Sequence, residues 1–96
     1  MSLKQVDQVF IRCEIVGEGM FPNEVAVKVV VMDGGGVSVL VDRGLLKTVG
    51  GARFLRATRL AVGVDGTSVC VLPTEETDSG SRFVRIRDVD LQVQAA

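Results

Sequence analysis

Histidine, tryptophan and tyrosine are absent from this chain of 96 residues, and each absence excludes a kind of chemistry. Without histidine the chain lacks the usual general base near neutral pH, which excludes Ser–His and Cys–His nucleophile pairs. Zinc sites that need an imidazole ligand are excluded for the same reason. No other nucleophile–base pattern stands out, so the sequence predicts a protein that is not an enzyme and has no catalytic residues.

Cysteine is also scarce, because the chain has only Cys13 and Cys70. Two thiols far apart in the sequence form neither a four-thiolate metal site nor a Cys-x-x-Cys motif. Each lies among apolar residues in a β-type pattern, where a cysteine is typically an inert buried side chain. The sequence therefore predicts no metal site and no cofactor.

Only four aromatic residues are present, and all are phenylalanines: Phe10, Phe21, Phe54 and Phe83. Single-strand nucleic-acid binders of the barrel type stack bases on several exposed rings. Grooves for proline-rich peptides are likewise lined with aromatic side chains. Because these phenylalanines mostly occupy alternating apolar positions, we expect them in the core, which argues against both classes of binding.

Long apolar runs are missing as well. In the valine-rich region the longest run is Val29–Met32, far too short to span a bilayer, and the first ten residues, MSLKQVDQVF, lack a signal-peptide core. We expect a cytoplasmic protein with reduced thiols. The length predicts a single domain over residues 1–96, with residues 1–7 as a flexible N-terminal segment.

What the sequence does contain is a series of segments in which apolar and polar residues alternate, the period expected of half-buried strands. Residues 8–16 (QVFIRCEIV) place one apolar set on one face: Val9, Ile11, Cys13 and Ile15. Residues 24–32 (EVAVKVVVM) are rich in valine, which favours extended backbone. The second half of this segment is apolar on both faces, so we expect it to be covered on both, by its own domain or by a partner.

The glycine-rich stretch at residues 32–39 (MDGGGVSV) is the most motif-like part of the chain. A phosphate-binding loop is followed by a helix N-terminus, whose free amides hold the anion. Here a β-branched run, Val37–Val41, follows instead, and the GxxxxGK[ST] and GxGxxG spacings are missing. Because glycine and aspartate tolerate the positive φ of tight turns, we predict a β-hairpin turn at this stretch.

Residues 52–64 (ARFLRATRLAVGV) fit two structures. A helix over residues 53–59 would place three arginines on one side. A strand would run into Asp65-Gly66, a strong turn signal, and then into the alternating residues 67–72. We favour the strand, and a short helix near residues 53–59 is the alternative.

Two more strands are predicted after a polar loop at residues 73–81. Residues 82–86 (RFVRI) form the first. In residues 88–93 (DVDLQV), alternation predicts three inward side chains: Val89, Leu91 and Val93. Asp88 and Asp90 then form a solvent-facing row rather than a carboxylate pair for acid–base chemistry.

About six or seven short strands, with turn signals every eight to twelve residues, predict an all-β protein that is a small barrel or sandwich. The size and strand spacing resemble an SH3-like barrel in general outline, which is the architecture we favour. This resemblance concerns the fold alone and carries over no functional residue.

Basic residues are concentrated in residues 43–87, although the net charge of the chain is −1. A basic patch attracts phosphate groups, which makes six arginines the candidate binding residues: Arg53, Arg56, Arg59, Arg82, Arg85 and Arg87. A solvated, ion-paired surface is the simpler interpretation, because nucleic-acid-binding domains are strongly basic overall.

We predict a small β-barrel interaction or scaffolding module that self-associates as a dimer, because a small domain has difficulty covering a two-sided valine strand alone. One alternative is a nucleic-acid or phosphate-binding accessory protein that uses the arginines. Another is a small-ligand binder with a pocket at a dimer interface. A second copy or another protein is the expected partner, nucleic acid is not favoured, and no membrane is expected.

Overall fold

A computed structural model describes residues 7–32, 35–77 and 80–93, with the side chain of Asp7 left out. These residues contain eight strands and no α-helix. The strands are β1 (Asp7–Glu18), β2 (Glu24–Val30), β3 (Gly36–Asp42), β4 (Leu46–Val49), β5 (Ala52–Val62), β6 (Thr67–Val71), β7 (Phe83–Arg87) and β8 (Leu91–Val93). Two short 3₁₀ turns, Arg43–Leu45 and Asp88–Asp90, precede β4 and β8.

All strand pairs are antiparallel, and the sheet runs in the order β3-β2-β1-β5-β6-β7. Two further strands pair beside this path, β4 with β5 and β8 with β1. The sheet is strongly curled into a half-barrel. The all-β prediction is confirmed, with eight strands rather than six or seven, and the helix considered near residues 53–59 is wrong because β5 spans them.

The inner face of the curled sheet holds the core. Side chains at alternate positions of β1 and β2 point into it, which confirms the face predicted for β1. The buried apolar side chains packed together there are Val9, Ile11, Cys13, Val25, Val27, Val29, Val39, Val41, Leu55, Ala57, Cys70, Leu72, Val84 and Ile86. The outer face of β2 is only half covered, since Val30 is half-buried and Met32 just beyond it is exposed.

Both predicted hairpin turns are confirmed by the pairing of the strands around them. β2 and β3 pair continuously as far as Val30 opposite Gly36, although Asp33 and Gly34 lie outside the described residues. At the second turn, the Gly63 amide donates to the Thr67 carbonyl at 2.7 Å. Gly66 has a φ of +80°, a conformation that favours glycine over residues with a side chain.

The prediction for residues 88–93 is wrong at its first three residues. Asp88–Asp90 is a 3₁₀ turn rather than a strand, and the turn changes which side chains point inward. Val89 is 83% exposed, whereas Asp90 is only 5% exposed. Val93 is exposed as well, and Leu91 is half-buried against the core. A period of two applies only while the backbone stays extended, which it does not do here.

Both outer edges of the sheet have backbone partners outside the strands. On β3, Val39 bridges Glu76, and the Thr77 amide donates to the Ser38 carbonyl at 2.9 Å. These contacts come from the predicted polar loop at residues 73–81, of which residues 78 and 79 lie outside the described part. On β7, the Met32 amide donates to the Arg85 carbonyl at 2.9 Å. Such coverage protects an edge from pairing with another chain.

Residues 1–6 of the N-terminal segment predicted to be flexible lie outside the described residues, and Asp7 begins β1. From there β1 becomes the most connected strand of the sheet. It pairs with β5 over Asp7–Cys13, with β8 over Val9–Ile11 and with β2 over Cys13–Glu18. The point where β1 leaves β5 is therefore Cys13, opposite Arg53.

Candidate functional site

The three candidate arginines on β5 do not share one surface, because β5 is a strand and its side chains alternate. Directly opposite residues of an antiparallel pair lie on the same face of the sheet. Arg53 lies opposite Cys13 and Arg59 opposite Cys70, both on the inner face near its ends. Arg56 lies opposite Phe10 on the outer face.

The other three candidate arginines lie on or just before β7, and their local contacts differ. Arg82 holds the chain after β6, since its Nε donates to the Leu72 carbonyl at 3.1 Å and its Nη2 to the Pro73 carbonyl at 3.3 Å. Arg85 is exposed opposite Val69 on the outer face. The structure thus brings Arg53 and Arg87 to one groove and Arg56 and Arg82 to another. Their binding role stays a prediction.

The larger of these two grooves, with a volume of about 640 Å³, opens where β1 parts from β5. Beyond Cys13, β1 has no partner on the β5 side, and the β4–β5 turn at Gly50-Gly51 leads into β5 beside this gap. The groove is lined by basic residues from three strands: Arg12, Arg53 and Arg87. We call it the arginine groove.

Arg87 is held at the wall of the arginine groove by a buried carboxylate. Its Nε and Nη2 donate to Oδ2 of Asp90 at 3.1 and 3.0 Å. Asp90 reaches this position because the 3₁₀ turn points its side chain inward. The charge of Arg87 is therefore balanced locally.

Arg12 and Arg53 differ from Arg87 in having no ion pair within the described ranges 7–32, 35–77 and 80–93. Both side chains belong to exposed residues. Sequence reasoning did not select Arg12, since nothing in its spacing separates it from other surface arginines. It lies opposite Phe54 on the outer face, at the end of the β1–β5 pairing where the groove opens.

A third groove, of about 210 Å³ and lined mostly by apolar residues, lies between the β2–β3 hairpin and β7. Phe83 is 63% exposed and lines it together with Met32, which is 40% exposed. We call it the Met32–Phe83 groove, and its other lining residues are Val31, Val37, Glu76, Val84 and Arg85. The expectation that the phenylalanines are core residues holds for Phe54 but is wrong for Phe83 and Phe21.

Neither cysteine is suited to nucleophilic chemistry at neutral pH. Both are free and buried. Desolvation raises the pKa of Cys13 from 9.0 to about 11, and the nearby charge of Arg53 lowers it only in part. Desolvation also raises the pKa of Cys70 to about 11, against a smaller lowering effect of Arg59. A thiol that stays protonated is a poor nucleophile and a poor metal ligand.

The hydrogen bond between Ser68 and Asp88 is structural rather than catalytic. Ser68 donates to Oδ1 of Asp88 at 2.7 Å, but Ser68 is almost fully buried, so a substrate cannot reach its hydroxyl. In the described part of the chain, no group of three or more cysteine, aspartate or glutamate side chains is placed to hold a metal ion. The same residues include no helix long and apolar enough to cross a bilayer.

Comparison with known proteins finds no family model, no curated protein and no solved structure that matches this chain.

Proposed function

We propose that this protein is a small cytoplasmic β-barrel interaction module, not an enzyme, that forms a homodimer through the Met32–Phe83 groove. The observation that carries the proposal is the exposure of a large aromatic side chain beside a depression that is lined mostly by apolar residues. Phe83 and Met32 are both exposed there, next to Val31 and Val37. Burying a phenylalanine side chain contributes about 1.5–3 kcal/mol, so covering this groove favours association.

The contact we propose is between outer surfaces rather than between strand edges. The β3 edge is covered by residues 74–77, and the central carbonyl of the β7 edge, that of Arg85, already accepts from Met32. Addition of a strand from a second copy would have to displace these hydrogen bonds. A surface contact leaves them in place.

A second copy is a suitable occupant because the groove can be complementary to itself. In a two-fold dimer the same patch of both subunits meets, so Phe83 of each copy can enter the groove of the other. The groove also contains one acidic and one basic residue, Glu76 and Arg85. A two-fold axis that passes between these two residues would bring each of them toward its opposite charge on the other copy.

We also propose that the half-barrel is an SH3-like barrel extended by the β2–β3 hairpin. Support comes from the last described strand. A barrel closes when strands from the two ends of the chain pair with each other. Here β8, which follows a 3₁₀ turn, pairs with β1. This proposal concerns architecture alone. It implies no proline-rich ligand, since the chain has no tyrosine or tryptophan to line such a groove.

The test is absolute molar mass by light scattering during size exclusion, over a range of concentrations. We expect twice the monomer mass of 10.2 kDa at high concentration, and we expect Phe83→Asp to give the monomer mass. Phe21→Asp is the matched control, because Phe21 is 68% exposed and lies in the β1–β2 loop instead of the groove. A monomer at every concentration, or equal dissociation by both variants, would overturn the proposal.

A further inference from the structure

The arginine groove lies beside a part of β1 that has a neighbouring strand on one side only. Residues 14–18 of β1 pair with β2, with Val16 as an extra residue, whereas β5 lies opposite β1 only as far as Cys13. In the part of the chain that the structure describes, no backbone hydrogen bond from outside these strands reaches residues 14–18. Alternate residues of a strand direct their N–H and C=O groups to opposite edges, so some of these groups face the groove, where Glu14 and Ile15 line its wall. We call residues 14–18 the open edge of β1, and this edge can accept a further strand.

We infer that the open edge of β1 binds the C-terminal segment of another protein as an added strand, and that Arg53 holds the terminal carboxylate. An antiparallel strand added to this edge runs in line with β5 and in the same direction. Its C-terminal end therefore meets the start of β5, where Ala52 and Arg53 line the groove. A carboxylate at that point accepts a charge-assisted hydrogen bond from the guanidinium of Arg53. This inference is independent of the proposed dimer.

Among the arginines of the groove, Arg53 is the one suited to a carboxylate at the start of β5. It lies opposite Cys13, which places it on the inner face, and it has no ion pair within the described residues. Arg87 is already paired with Asp90. Arg12 lies opposite Phe54 on the outer face, so the plane of the sheet separates it from Arg53. The carboxylate site therefore depends on a single guanidinium, together with the open edge of β1.

The surroundings of the open edge leave room for such a strand. The β4–β5 turn at Gly50-Gly51 carries no side chain, and a Cβ at either glycine would meet no atom within 4 Å. The groove in front of it has a volume of about 640 Å³. On the inner face, Ile15 is half-buried against the core, so an apolar side chain of the added strand would extend this apolar surface.

Charge makes a second copy of this chain an unsuitable occupant of the open edge. If residues 14–18 of two copies paired antiparallel about Val16, Glu14 of each copy would lie opposite Glu18 of the other. Like charges directly opposite each other destabilise a strand pair. A nucleic acid is unsuitable as well, because it has no peptide groups to pair with a strand edge and no aromatic ring lines the groove for its bases.

The first experiment is an NMR titration of the ¹⁵N-labelled protein with an acetylated pentapeptide of alternating valine and threonine. One form of the peptide ends in a free carboxylate and the other in an amide. We expect saturable shifts of the amides of residues 14–18 and of Gly51 and Ala52. The free acid should bind about tenfold more tightly than the amide, because only the acid forms the charge-assisted hydrogen bond with Arg53.

Arg53→Gln should remove the difference in affinity between the two peptides and leave binding of the amide form as it is. Arg12→Gln is the matched control, because it changes the net charge equally on the neighbouring strand but on the outer face. It should change the difference by less than about twofold. Each comparison is between two ligands of one protein, so a modest loss of stability in a variant does not affect it. Phe83→Asp should leave peptide binding unchanged, which keeps this result distinct from that of the proposed dimer.

Methylation of the peptide's backbone nitrogens tests the added strand itself. Two peptides are compared, one methylated at the odd residues and one at the even residues. Only one of them should lose affinity, because alternate N–H groups of an added strand face β1.

Three outcomes would overturn the inference. One is the absence of saturable shifts at millimolar concentrations of the free-acid peptide. Another is an equal effect of Arg12→Gln and Arg53→Gln, which would indicate general charge attraction. The third is an equal effect of the two methylation patterns, which would show that the peptide does not bind as a strand.

Discussion

Ile11 on β1 lies directly opposite Leu55 on β5, and both side chains are fully buried. The pair is the centre of a row that crosses four strands. Leu91 of β8 lies opposite Ile11 on its other side, and Leu46 of β4 lies opposite Leu55. One cross-strand row therefore joins the first strand, the last strand and the two strands that follow the β2–β3 hairpin.

We expect Leu55→Ala to lower the free energy of unfolding by about 2–5 kcal/mol, because it removes buried contacts and leaves a cavity in this row. That is a large part of the total stability of a small domain. Leu60→Ala is the control on the same strand, where Leu60 is 38% exposed and the loss should be below about 1 kcal/mol. Urea denaturation followed by circular dichroism measures both, and equal losses would contradict the role of the row.

The sequence is sufficient to locate most strands of this sheet because each has one buried face, so burial itself imposes the period of two. β4 is the strand that alternation does not reveal. Of its four residues only Leu46 is partly buried, and the others are exposed. The pattern also fails at Asp88–Asp90, where three residues in a 3₁₀ turn place Asp90 inward and Val89 outward.

We expect Gly66→Ala to destabilise the protein by about 1 kcal/mol, because the turn holds Gly66 at a φ of +80°. A Cβ there would meet no atom within 4 Å, so the cost comes from backbone conformation alone. Gly17→Ala is the control: Gly17 has no positive φ, and its new Cβ would lie 3.9 Å from that of Ala26. A thermal melt of each variant is enough, and an unchanged Gly66→Ala would contradict the turn.

We expect stability to fall between about pH 9 and pH 11 because of the two cysteines. The unfolded thiols ionise near pH 9.0, whereas burial raises the folded pKa of Cys13 and Cys70 to about 11. In this window the unfolded chain binds fewer protons than the folded one, so rising pH favours unfolding. Each thiol contributes at most about 3 kcal/mol, since the pKa difference is about two units and each unit corresponds to about 1.4 kcal/mol.

The measurement for this prediction is urea denaturation at pH 8 and pH 10.5, with the double variant Cys13→Ala and Cys70→Ala as the comparison. The double variant should lose less stability between the two pH values than the native chain does. The absence of tyrosine and histidine leaves lysine as the main other side chain that titrates there. Equal pH dependence in both proteins would show that the thiols are not the cause.

The candidate site is predictable from the sequence only in part. Arg53 and Arg87 are among the arginines selected for their charge, and both line the arginine groove. Arg12 is missed because the groove depends on where β1 parts from β5, which is a property of strand pairing and not of spacing along the chain. Arg82 is selected for its charge, but its guanidinium donates to the backbone carbonyls after β6.

The pairing of Val9 with Val93 also affects the order in which the protein folds. During synthesis β1 emerges early, yet β8 is available only when almost all of the chain described here has been made. Until then the edge of β1 that faces away from β5 has no strand beside it at Val9–Ile11, and the backbone groups of that edge are open to other chains. Contacts between residues so far apart in sequence form slowly, so we expect the last step of folding to be the docking of β8.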